Sequence, residues 1–156
     1  MGRVPGFTLI ELLVVLVVIG IATSTVVLSL TRQETPDQSL QQLRRLLELA
    51  AEKAEISGAP LAVDLVPGGY RFSRFDTRGR WQPLAAEDAM FSPRRLAPDL
   101  AWQSLEVDGV AVAPPRLVFA SGMPEFVLRV AAPGGGYRLE GRISGAVDLS
   151  AEAEAP

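Results

Sequence analysis

The chain has no cysteine and no histidine, and its one lysine, Lys53, stands against fourteen arginines. Without cysteine there is no disulfide framework, no thiolate nucleophile and no thiolate metal site. Without histidine it lacks the side chain most often used for proton transfer near neutral pH. An enzyme built from this sequence would have to run on carboxylates, hydroxyls and arginine, so a non-enzymatic role with no cofactor is expected. An excess of basic charge is also missing. The formal net charge is −3, which is mild and of the wrong sign for a protein that grips nucleic acid through bulk charge. No nucleic-acid partner is expected.

What the chain does have is one dense apolar run. It starts at Gly6-Phe7-Thr8-Leu9-Ile10-Glu11 and continues through Leu12–Ile19 and Gly20-Ile21-Ala22 to Val26-Val27-Leu28-Ser29-Leu30. As a helix rising ~1.5 Å per residue, Phe7 to Leu30 is roughly 36 Å long and crosses a ~30 Å hydrocarbon core. Arg3 precedes the run and Arg32, Glu34 and Asp37 follow it. The short basic leader predicts a cytoplasmic N-terminus.

Three readings compete for this run. A secretory signal peptide would be cut after a small-residue site such as Gly20-Ile21-Ala22. A plain membrane anchor needs only length and apolarity. Neither explains Glu11, a carboxylate at the mouth of the run with nothing basic within one helical turn. Its partner is expected on another chain, because an ionised carboxylate near mid-membrane costs on the order of 2.5–3.5 kcal/mol.

Gly6-Phe7-Thr8-Leu9-Ile10-Glu11 ahead of an apolar helix resembles the N-terminal motif of type IV pilins and type II secretion pseudopilins. The resemblance implies that a prepilin peptidase cuts between Gly6 and Phe7 and methylates Phe7. It also implies that Glu11 registers each subunit against the N-terminal amine of its neighbour. It bears directly on the first thirty or so residues only.

Thr35-Pro36-Asp37-Gln38 reads as a helix start, with Thr35 as N-cap, Pro36 at the first helical position and Gln38 at the capping-box position. Leu40, Leu43, Leu46, Leu47, Ala50, Ala51 and Ala54 then recur at helical spacing, giving one apolar stripe to pack on the following domain. Pro36 is expected to kink the rod, and Ser57-Gly58 to end it. Beyond that the spacing predicts strands at Leu61–Val66, Tyr70–Phe75, Arg80–Leu84, Ala101–Val107, Val110–Ala113, Arg116–Ala120, Glu125–Ala132, Gly136–Arg142 and Ala146–Leu149. Residues 85–98 read as loop. The fold expected is α+β: a long N-terminal helix, half membrane-spanning and half amphipathic, then a mostly antiparallel β-sheet or sandwich. In segments this gives a leader at 1–6, a transmembrane and polymerisation helix at 7–30, its amphipathic continuation at 31–58, a periplasmic β domain at 59–150 and a frayed tail at 151–156.

Three constellations need weighing. Arg71, Arg74, Arg78 and Arg80 interleave with Tyr70, Phe72, Phe75 and Trp81. This is the pattern of a nucleic-acid surface, but a hairpin with aromatics inward and arginines on the wet face explains it better. Glu87-Asp88 and Glu106/Asp108 are too few for calcium, which takes six to eight oxygens, and read as solvated loop residues. Gly134-Gly135-Gly136 lacks the strand–loop–helix setting of a phosphate cradle and reads as a hairpin turn.

In the second half, Leu117-Val118-Phe119-Ala120-Ser121-Gly122-Met123-Pro124-Glu125-Phe126-Val127-Leu128 and Tyr137-Arg138-Leu139-Glu140-Gly141-Arg142-Ile143-Ser144-Gly145-Ala146-Val147 are similar to the GspH/FimT group of pilin-like proteins. The resemblance implies a minor pseudopilin of type II secretion, with FimT-like type IV pilins as the close rival. Its implied partners are other minor pseudopilins, the major pseudopilin, the prepilin peptidase, an inner-membrane assembly platform and inner-membrane lipid. The implied location is the bacterial inner membrane, with the β domain in the periplasm. Some FimT-like pilins take part in DNA uptake through a basic C-terminal end; here Asp148, Glu152 and Glu154 make that end acidic.

Overall fold

The computed structural model describes Ile10, residues 13–15 and residues 35–153. Gly6, Phe7, Glu11 and most of the Phe7–Leu30 run lie outside these residues, as does the junction where Pro36 was expected to kink the rod. The chain divides into two units, Met1–Gln33 and Glu34–Pro156. In the first, Ile10 and residues 13–15 are helical, and their apolar side chains are exposed, Ile10 by 73%.

The second unit opens with helix α1, Pro36–Ser57. Thr35 caps it, its hydroxyl accepting the Gln38 N–H at 3.4 Å, and Pro36 occupies the first turn, where no N–H is needed. Gly58 ends it at φ +64, in the left-handed region that a Cβ disfavours. All seven stripe residues from Leu40 to Ala54 are buried, each large one contributing about 1.5–3 kcal/mol.

Among the described residues ten strands follow in two antiparallel sheets. Sheet 1 holds β1 (Leu61–Val66), β2 (Gly69–Phe75), β3 (Trp81–Pro83), β4 (Arg94–Arg95) and β7 (Arg116–Phe119), ordered β3-β2-β1-β7 with β4 also on β2. Sheet 2 holds β5 (Ala101–Val107), β6 (Val110–Ala111), β8 (Phe126–Ala132), β9 (Gly135–Gly141) and β10 (Val147–Ala153), ordered β10-β9-β8-β5-β6. The two sheets and α1 share one core, in which Leu105, Leu128 and Leu139 form a cross-strand row facing inward. Polar ties join the layers. The Trp102 indole N–H reaches the carbonyls of Val66 at 2.8 Å and Gly69 at 2.9 Å. Glu48 accepts the Val147 N–H at 3.0 Å, and the buried Ser39 hydroxyl accepts the Ala97 N–H.

Three expectations are corrected. Residues 85–98 are not plain loop: they lie among 3-10 turns at Leu84–Ala86 and Ala89–Phe91 and strand β4. These pieces are two or three residues long, too short to show a period, and tertiary contacts hold them. Asp88 caps the second turn through the Met90 N–H at 3.0 Å, and Gly69 lets β4 approach, since a Cβ there would lie 2.4 Å from the Arg94 carbonyl oxygen. The tail does not fray at 151, because β10 pairs with β9 as far as Ala153↔Gly135. The hairpin aromatics also divide: Tyr70 and Phe72 point into the core, but Phe75 and Trp81 do not.

Candidate functional site

The site residues read from the sequence, Gly6, Phe7 and Glu11, lie outside the described residues. Within the same run, Ile10 and residues 13–15 are helical and exposed. Among the described residues no helix is long and apolar enough to cross a membrane.

The β domain holds no convergent chemistry at the candidate carboxylates. Asp88 pairs with Lys53 at 3.0 Å, and that ammonium, also 5.7 Å from the Phe91 ring centroid, holds the Asp88 carboxyl below its ordinary value with help from the Met90 N–H. The single lysine thus ties α1 to the second 3-10 turn. Glu87 pairs with Arg74 at 2.6 Å and Glu106 with Arg129 at 2.7 Å. Asp108 sits in the β5–β6 turn at φ +50. Among the described residues no group of three or more acidic side chains is placed to hold a metal ion. Pro133-Gly134 forms the tight turn between β8 and β9, with Gly134 at φ +79.

The arginine-rich hairpin is held by carboxylates. Arg71 and Arg116 both reach Asp64. In the turn, Asp76 accepts the backbone N–H groups of Arg80 and Arg78, each at 2.9 Å. The Arg80 N–H is the main cause that lowers the Asp76 carboxyl from its ordinary value. The outer face of sheet 2 is similarly paired: Arg138 with Glu140 at 3.1 Å and Glu152 at 3.9 Å, and Arg142 with Asp148 at 2.8 Å. The Asp37 carboxylate raises the Tyr137 pKa above its ordinary value, chiefly by side-chain hydrogen bonding, and burial adds to the rise.

The sequence reading missed the exposed apolar side chains that edge α1. Leu49 and Ile56 stand on the helix, Met90 on the second 3-10 turn and Ile143, 76% exposed, in the β9–β10 hairpin loop. Leu49 lines a groove on either side of the helix, one walled by the Ile143 loop and one by Met90 and Arg94. Position 49 broke the stripe's spacing, the only signal that could have marked it.

This arrangement of one capped helix and two antiparallel sheets is shared with solved structures. The minor pseudopilin EPSH from the type II secretion system of Vibrio cholerae aligns at TM-score 0.60 over 80% of this chain and 99% of that one, at 20% identity. The chain shares its α+β fold with that pseudopilin structure. The same fold recurs in Escherichia coli GspH, at TM-score 0.54 and 21% identity over 78% of this chain and 94% of that one. The prokaryotic N-terminal methylation motif family matches residues 1–27. Type II secretion system protein H of Pseudomonas aeruginosa is 32% identical over 108 residues, 67% of this chain and 59% of its own length. The Escherichia coli protein of that name is 29% identical over 96 residues, 57% of this chain and 56% of its own. The chain therefore spans less than two thirds of the curated relatives it matches.

Proposed function

We propose that this chain is a minor pseudopilin of the type II secretion system, a structural subunit and not a catalyst, placed at the initiation or tip of a pseudopilus. The observation that carries the reading is the pairing of Gly6-Phe7…Glu11 on an apolar run with the minor pseudopilin fold. In this reading the prepilin peptidase cuts between Gly6 and Phe7 and methylates Phe7, the apolar run spans the inner membrane once, and the β domain lies in the periplasm. Other minor subunits and the major one are its neighbours, and an inner-membrane platform extracts it into the fibre. The fibre then helps folded proteins cross the outer membrane.

Glu11 supplies axial register. An amine and a carboxylate about 4 Å apart attract by about 4 kcal/mol at an effective dielectric of 20. That is comparable to the roughly 2.5–3.5 kcal/mol cost of a mid-membrane carboxylate, so pairing offsets insertion only when a neighbour's terminus arrives. Assembly is thereby tied to one stagger.

A strain lacking the chain should retain type II substrates in the periplasm, and the wild-type gene should restore export. Loss of DNA uptake with export intact would instead favour a FimT-like pilin. The ion-paired, acid-rich outer face of sheet 2, with Asp148 and Glu152 on β10, speaks for the secretion reading, because phosphate is repelled there.

A further inference from the structure

The two sheets present opposite kinds of outer face. On sheet 2 the outward row Glu106, Val127, Glu140 and Asp148 runs beside Arg129 and Arg138, and the charges pair across rows. Such a face suits water. On sheet 1, strand register places Arg116 and Val118 of β7, Ala62 and Asp64 of β1, Arg71, Ser73 and Phe75 of β2 and Trp81 of β3 on one outward face. Phe75 and Val118 are exposed, and the Trp81 ring packs at a tilt of 57° against Phe75, centroids 5.1 Å apart, with the Arg116 guanidinium 5.1 Å from its ring. Ala62 and Ser73 are buried although they face outward, and the Ser73 hydroxyl has no hydrogen-bond partner.

We infer that this outer face of sheet 1 is a docking surface for an acidic segment of a neighbouring protein, one that sets carboxylates around an apolar side chain. Charge decides the sign of the partner. Among the described residues four arginines stand on or beside the face against two carboxylates: Arg71 and Arg116 share Asp64, Arg80 pairs with Asp76 and Arg78 carries no ion pair, which leaves the face net positive. Tryptophan, phenylalanine and arginine are the side chains that dominate protein interfaces, and arginine receives a carboxylate through a planar fork. The ring faces do not suit a nucleic acid, because Phe75 and Arg116 already pack on Trp81 and leave it no free face for a base. The inference leans on the proposed function only in taking the neighbour to be a protein of the same assembly.

The test uses the full chain in its own cells with a photo-crosslinking residue, Phe75→p-benzoylphenylalanine, compared with Ser150→p-benzoylphenylalanine on the outer face of sheet 2. The expected result is a crosslink from position 75 to a protein segment of net negative charge, at least tenfold stronger than from position 150. It should fall several-fold in an Arg78→Glu, Arg80→Glu background, whose turn-exposed changes leave the core untouched. A crosslink to lipid, to nucleic acid or to a second copy of this chain overturns the inference, and so does a neutral or basic protein segment or an equal yield at the two positions. Mass analysis of the same sample reports whether Phe7 is the mature terminus. A correctly cut chain without a crosslink at 75 contradicts the docking face alone, whereas an uncut chain contradicts the proposed function.

Discussion

At Gly141 a single hydrogen decides the packing. The residue pairs with Phe126 across β8 and β9, and a Cβ there would stand 2.1 Å from the Phe126 ring. Gly141→Ala is therefore expected to destabilise the β domain by about 1–3 kcal/mol, through a forced shift of a fully packed ring, read as a lower urea midpoint for residues 34–156. That unit holds the buried core found among the described residues. Asp76 makes the second prediction at this scale. Its folded pKa lies below its unfolded value, chiefly because it accepts the Arg80 N–H. Its contribution is thus complete above the unfolded value of about 3.9 and is lost as pH falls through the folded one. Asp76→Asn should lower stability at pH 6, and the gap between variant and wild type should close on acidification; a gap that widens in acid contradicts this.

At the scale of elements, the helix was the most legible part of the sequence. Cap, first-turn proline, stripe and glycine stop all agree, and each reports a local rule that tertiary packing did not override. Leu47 is fully buried on that stripe, so Leu47→Ala is expected to cost about 2–5 kcal/mol. Thr35→Ala is expected to cost only about 0.5–1 kcal/mol, since its capping bond is long at 3.4 Å; thermal melts of the two variants check the order. Most strands were also legible, because alternation such as Leu61-Ala62-Val63-Asp64-Leu65 marks both a strand and its inward face. The 3-10 turns between Leu84 and Phe91 were not, since their cause is Asp88 meeting Lys53 from a distant helix. Strand parity at Trp81 was lost for a similar reason: it depends on where the Asp76–Arg80 turn reverses the chain. The end of β10 was hidden because alternating Ala and Glu resembles a solvated tail until β9 is beside it.

For the whole molecule, the sequence-level motif and the fold address different halves of the chain. The motif of residues 1–27 bears on processing and polymerisation, and the β domain bears on which subunit this is. The exposed faces could not be read in advance, because interface identity depends on two sheets curving around one core. Glu11→Ala is expected to leave cleavage and membrane insertion intact while reducing incorporation into the fibre at least tenfold, scored by sheared-fibre fractionation against total membrane protein. Mass analysis of the mature N-terminus in cells with and without the prepilin peptidase tests the proposed processing. The expected chain begins at N-methylated Phe7 when the peptidase is present and is uncut when it is absent. A terminus near Ala22, or a cut that is indifferent to the peptidase, would contradict it.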